Sequence, residues 1–332
     1  MSEPTVEVHL SPEQLNQNLR DDARVGLAAS PKWLPPKWFY DARGSELFEE
    51  ITRLPEYFPT RTERELLRVS APHIAQATDA QILVELGSGS SDKTRLLLDA
   101  LTAHGTLERY VPQDVSEAAL VSAARQLAEE FPSLAVHGIV SDFTETLHNL
   151  PGRRGADGSR SGSRRMIAFL GGTLGNLVPE EREEFLASIA EVLEEGEQLL
   201  LGVGLVTDPD VLVPAYADAA GVTARFNRNV LAVLNDRLGA DFDLSNFRHV
   251  AVWDQTNEWI EMRLEARDAA TVHLPALDMS VEFAAGEQMR TEISAKFRLE
   301  GIGKELASAG FTSDRVWTDP LDRFALILAD RV

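Results

Sequence analysis

Between residues 61 and 205 of this 332-residue chain, five short apolar runs alternate with amphipathic stretches of helical length. The runs lie at 82–86, 109–115, 134–143, 165–172 and 197–205, and the stretches at 62–78, 92–105, 116–131 and 179–196. Runs this short and this apolar are strands buried on both faces, and helices between them force parallel crossovers. Such crossovers are right-handed, so the pattern predicts an α/β fold with a doubly wound, Rossmann-like sheet. Ser116 is placed to cap the third helix, while Pro179 and Gly196 bracket the fourth.

The pattern changes after residue 206. Helical segments at 209–238 precede alternating apolar positions through 247–274 and 279–294, which read as antiparallel strands. A helix at 297–311 and two strands, 315–319 and 324–330, end the chain. A terminal helix and β-hairpin distinguish a methyltransferase sheet from a plain dinucleotide fold. The expected division is therefore a cofactor-binding core of residues 61–205 plus 296–332. A smaller α+β substrate domain is expected from residues 8–60 plus 206–295. Residues 152–165 are rich in Gly, Ser and Arg without periodicity and read as a solvated loop.

The first run ends in Val84-Glu85-Leu86 and is followed by Gly87-Ser88-Gly89 and a helical stretch. Glycines there let the backbone turn sharply and approach a ligand, and a helix opening just after them adds amide donors. Asp114 ends the second strand at a spacing suited to accepting hydrogen bonds from ribose hydroxyls, or it caps the next helix. Asp142 and Phe143 follow the third strand, where an acceptor and an apolar contact would meet an adenine ring. Position 92 is Asp rather than a third glycine, so a pyrophosphate would be poorly cradled. A nucleoside without phosphates fits better, and S-adenosylmethionine is one.

Composition removes other classes. The chain has no cysteine, which excludes disulfides, thiolate metal sites and cysteine nucleophiles. Its seven histidines are scattered without ligand spacing, so no metal is expected. With 53 Asp plus Glu against 32 Lys plus Arg, the net charge of −21 argues against nucleic acid and anionic membranes as partners. The N-terminus carries no leader pattern and no apolar run is long enough to span a bilayer, so the expected location is the cytoplasm.

Six stretches are more distinctive. Lys37-Trp38-Phe39-Tyr40-Asp41, Gly44-Ser45-Glu46-Leu47-Phe48 and Leu54 through Glu63 come first. Phe169 through Leu177, Phe226-Asn227-Arg228-Asn229 and Thr291 through Phe297 follow. In this order they resemble the ergothioneine-pathway L-histidine Nα-methyltransferases, from about residue 20 to the C-terminus. That resemblance implies S-adenosylmethionine-dependent trimethylation of the α-amine of free L-histidine to hercynine; a monomer is expected. It implies that Tyr57 and Tyr216 bind the carboxylate and that Tyr40 and Asn176 hold the α-amine. Glu292 and Ser294 would read the imidazole, Met262 would line its pocket, and Gly87, Lys93, Asp114, Asp142 and Phe143 would contact the cofactor, joined by Gly89 from the glycine turn. Gly204, Gly172 and Gln113 depart from the family's usual Asp, Ser and apolar residue. The same core acting on tryptophan or another small amine, or binding cofactor without catalysis, are the alternatives.

Overall fold

The computed structural model describes residues 3–143, 147, 150 and 164–332. The N-terminal segment forms β1 (Thr5–Val8), α1 (Pro12–Ala28), α2 (Ala42–Thr52) and α3 (Pro59–Thr78). Next come β2 (Ile82–Leu86), α4 (Arg95–His104), β3 (Arg109–Asp114), α5 (Glu117–Glu130), β4 (Ala135–Val140), β5 (Arg165–Phe169), α6 (Pro179–Val192) and β6 (Gln198–Gly204). The segment beyond carries α7 (Pro209–Tyr216), α8 (Val222–Leu238), β7 (Phe247–Asp254), β8 (Trp259–Ala266), β9 (Ala270–Leu274), β10 (Met279–Phe283) and β11 (Gln288–Ala295). The chain ends in α9 (Leu299–Ser308), β12 (Phe311–Thr318) and β13 (Phe324–Arg331).

Two compact units result. One comprises residues 1–11, 62–205 and 297–332, the other residues 12–61 and 206–296. The first holds an eight-stranded sheet in the order β1-β4-β3-β2-β5-β6-β13-β12. Strands β2 to β6 pair in parallel, while β13 runs antiparallel between β6 and β12. This is the Rossmann-like methyltransferase sheet, its strand order reversing at β2, where ligands bind in such folds. Its core gathers Leu83, Leu97, Leu101, Tyr110, Leu127, Met166, Leu200 and Phe324, all at most 1 % exposed.

Two details differ from expectation. β1 pairs in parallel with β4, Thr5 opposite His137, and residues 8–11, expected at the start of the substrate domain, fall with the sheet instead. An edge strand offers unpaired amides and carbonyls that a polar segment can satisfy, which no apolar pattern announces. Arg165, where the expected loop 152–165 and the expected strand 165–172 overlap, opens β5 instead of lying in solvent: it is buried and bonds Glu197 through Nε at 2.9 Å. Residues 152–163 of that expected loop lie outside the described residues.

The second unit contains the antiparallel sheet β11-β8-β7 and the hairpin β9–β10. Helices α1, α2, α7 and α8 contribute to its core, which includes Leu19, Phe39, Leu47, Leu212, Phe226, Leu234, Ile260 and Met262. Register along β11 shifts between Arg290 and Glu292, so Thr291 sits in a bulge. A bulge re-aims the side chains that follow it. Here those are Glu292 and Ser294.

Candidate active site

In the first unit the site forms around the turn after β2. Gly87 and Gly89 take φ of +66° and +51°, a region that L side chains avoid. A Cβ at Gly89 would meet no heavy atom within 4 Å, so backbone conformation rather than crowding demands glycine there. The Gly89 amide donates to Asp114 Oδ2 at 2.9 Å and the Ser116 amide to Oδ1 at 2.9 Å. The helix cap is Ser116, whose hydroxyl accepts from Ala119 N, so Asp114 ties the turn to β3 instead. Burial pushes the Asp114 carboxyl up from its ordinary value, opposed by those amides. A desolvated carboxylate with spare lone pairs is suited to further donors such as ribose hydroxyls.

The helix does not open where the sequence suggests. α4 begins at Arg95, because Ser91 takes φ +55° and its hydroxyl is fixed to the Tyr110 hydroxyl at 2.9 Å. The positive end of that helix is thus displaced from the glycines. Phe143 lies beside the turn, its ring edge 3.6 Å from where a Gly87 Cβ would stand, and packs on Phe169 at 5.2 Å. Asp142 is buried next to it. Asn176 ends the 3-10 turn Thr173–Asn176, which follows two left-handed glycines, Gly171 and Gly172.

Lys93 bonds Glu63, a carboxylate with no exposed surface whose other oxygen accepts from Gly171 N at 2.7 Å. The pair links the turn after β2 to the turn after β5. Gln113 donates from Nε2 to Ser141 O at 3.0 Å and Ser141 Oγ at 2.8 Å, joining the ends of β3 and β4. Ser88 Oγ and Gln113 Oε1 are buried without a hydrogen-bond partner among the described residues. Unpaired buried polar atoms are costly, so their presence at a glycine turn fits a site built for a polar ligand.

The second unit holds the other expected residues. Tyr57 and Tyr216 meet edge to face at 6.0 Å, and Phe48 lies 6.3 Å from Tyr57. Tyr40, 40 % exposed, stands edge-on to Phe48 and Phe226 at 5.6 and 5.5 Å. The Tyr216 hydroxyl is 2.8 Å from Ser294 Oγ. Met262 on β8 faces Glu292 on β11 in the strand register, Met262 buried and Glu292 half-buried. Tyr40, Tyr57, Tyr216, Met262, Glu292 and Ser294 therefore belong to one unit, Asn176 and the expected cofactor residues to the other.

Residues 19–331 match the family described as histidine-specific methyltransferase, SAM-dependent. The chain belongs to this family. It is 51 % identical over 323 residues to the histidine N-alpha-methyltransferase of Mycolicibacterium smegmatis, covering 97 % of this chain and 98 % of that one. The corresponding protein of Mycobacterium tuberculosis is 49 % identical, with 97 % of each chain covered. Ergothioneine biosynthesis protein 1 of Schizosaccharomyces pombe is 30 % identical over 274 residues, which are 80 % of this chain and 34 % of that protein.

Several residues of this methyltransferase carry structural duties that spacing did not reveal. Asn229 Nδ2 donates to Phe39 O at 3.2 Å and Asp41 Oδ1 at 2.7 Å, fixing the chain on either side of Tyr40. Gly44 is required because a Cβ would stand 1.6 Å from Phe39 O. Asn227 accepts from Thr291 Oγ1 at 2.6 Å and donates to His249 Nδ1 at 2.8 Å, and His249 Nε2 donates to Tyr216 O at 2.8 Å. Burial lowers the His249 pKa, in keeping with a neutral ring that accepts at Nδ1. The Phe226 to Asn229 motif thus anchors Tyr40 through one asparagine and Tyr216 through the other. No helix of the described residues is long and apolar enough to cross a membrane.

Proposed function

We propose that this enzyme transfers methyl groups from S-adenosylmethionine to the α-amine of free L-histidine until the quaternary product, hercynine, is formed. The observation that supports this most directly is the gathering of Tyr57, Tyr216, Met262, Glu292 and Ser294 in one unit, around a 2.8 Å Tyr216–Ser294 contact. When bound, S-adenosylmethionine supplies an electrophilic methyl group on a sulfonium. Gly87, Gly89, Lys93, Asp114, Asp142 and Phe143 would hold it.

The remaining task for the protein is positioning, since an in-line displacement depends on alignment more than on acid–base power. The amine must be neutral to attack, and phenol and amide partners at Tyr40 and Asn176 lower the cost of losing its proton. As methyl groups accumulate, the aromatic rings of Tyr40, Phe48 and Phe226 offer cation–π attraction to a cation that has lost its donors. Glu292 is suited to accept from the imidazole N–H, and Tyr57 and Tyr216 to donate to the carboxylate. The expected working form is a monomer in the cytoplasm acting on a small molecule, with neither nucleic acid nor membrane as partner.

Mass spectrometry of a panel of free amino acids with labelled cofactor tests the assignment. Histidine should acquire one, two and three methyl groups in succession, while tryptophan and tyrosine remain unmodified. No methylated histidine would overturn it. Glu292→Ala should lower kcat/KM for histidine by about 10- to 100-fold, the worth of a charge-assisted hydrogen bond. Cofactor affinity should stay unchanged, as titration calorimetry would show.

A further inference from the structure

Along β11 and just beyond it, Glu292, Ser294 and Lys296 alternate at the two-residue spacing of one strand face. Lys296 Nζ donates to the Tyr216 hydroxyl at 2.8 Å and to Ser294 Oγ at 2.6 Å. Those two hydroxyls are themselves 2.8 Å apart, and the ammonium lies 4.9 Å from the centroid of the Tyr216 ring. Lys296 is 8 % exposed. Among the described residues no carboxylate comes within ion-pair distance of it, its polar partners being the two hydroxyls. A buried cation satisfied only by neutral groups is costly, and proteins keep one where a counter-charge arrives from elsewhere.

The hydrogen count says what should arrive. An ammonium has three N–H bonds and each hydroxyl one O–H. Three bonds within the cluster use three of these five hydrogens, leaving two donors and a positive charge for a ligand. An acceptor-only anion with two oxygens answers that demand. Tyr216, expected to bind the acceptor's carboxylate, is held directly by this lysine, which sets the positive charge beside the group expected to meet that carboxylate.

We propose that Lys296, held in place by Tyr216 and Ser294, is the counter-ion of the acceptor's carboxylate and makes that carboxylate a condition of turnover. The proposal rests on the assignment of free histidine as acceptor and deepens it. The enzyme should select α-amino acids over the corresponding amines, whatever it does with the side chain.

Steady-state kinetics with histidine and with histamine, which lacks the carboxylate, test this on the full chain at saturating cofactor. The unmodified enzyme should prefer histidine by at least about 10- to 100-fold. Lys296→Gln, which keeps a donor and removes the charge, should raise the histidine KM by a similar factor and leave histamine within about threefold, so that the preference collapses. Lys296→Arg should retain the preference. Equal loss for both acceptors in Lys296→Gln would mean that the lysine only supports Tyr216, and would overturn the proposal. So would equal use of histidine and histamine by the unmodified enzyme, a comparison needing no variant. Absence of any methylated histidine would instead overturn the assigned reaction itself.

Discussion

Glu85 lies at the centre of the first unit's sheet, 4 % exposed, with the hydroxyls of Thr94 and Tyr110 donating to its two oxygens. Burial raises its pKa from the ordinary 4.5 to about 7, against the pull of those hydroxyls and of Lys93. A carboxyl whose folded pKa exceeds its unfolded value favours the folded state fully below the unfolded value, and the benefit is lost as pH rises toward the folded one. Over that window the enzyme should lose about 1.4 kcal/mol per pH unit through this residue. Glu85→Gln cannot titrate, so its stability relative to the unmodified enzyme should rise by on the order of 2–3 kcal/mol between pH 5 and pH 8. Urea unfolding at the two pH values measures this, and parallel pH dependences would show that Glu85 is already ionised in the fold.

At the scale of elements, the first unit's site depends on how closely α3 approaches β6. The Glu63 carboxylate sits so near Gly202 that a Cβ there would stand 2.1 Å from Glu63 Oε1. The same oxygen accepts from Gly171 N at 2.7 Å, and the other holds Lys93. Gly202→Ala should therefore push Glu63 off both turns, costing about 1–3 kcal/mol of stability through overpacking. It should also weaken binding of S-adenosylhomocysteine, read by calorimetry, although residue 202 lies on a strand and carries no polar side chain. Unchanged cofactor affinity in a destabilised variant would separate the Glu63 bridge from the binding site. Gly204, which stands where the family usually has Asp, lies close to the turn after β5: its N would be 3.9 Å from a Cβ at Gly172, and its carbonyl accepts from Phe297 N at 2.9 Å.

At the scale of the whole molecule, two separately cored units should respond to different ligands. Ligands stabilise the structure they contact, and local protection follows. In hydrogen exchange, S-adenosylhomocysteine should slow amides around 87–91, 113–116 and 141–143. Histidine should slow those around 216 and 289–296 in the other unit. Histidine protection confined to the first unit would mean that the acceptor residues are misassigned.

The strand and helix alternation from 82 to 204, the glycine turn and the strand-end Asp114 and Asp142 were legible in the sequence, because local propensity and burial on both sheet faces leave a periodic trace. The motif around Tyr40 was legible as a pattern, though its cause was not: Gly44 answers to a carbonyl at Phe39 and Asn229 to the chain beside Tyr40. Long-range contacts of that kind have no period. The same holds for β1, which completes a sheet edge with polar residues, and for Ser91, whose left-handed backbone delays α4. The sequence by itself determined the Rossmann-like core, the glycine turn after its first strand and the family. Only the tertiary structure decided that Tyr216, Ser294 and Lys296, from two distant segments, share hydrogen bonds in one buried cluster, because a side chain's partners depend on which strands and helices meet rather than on its neighbours along the chain.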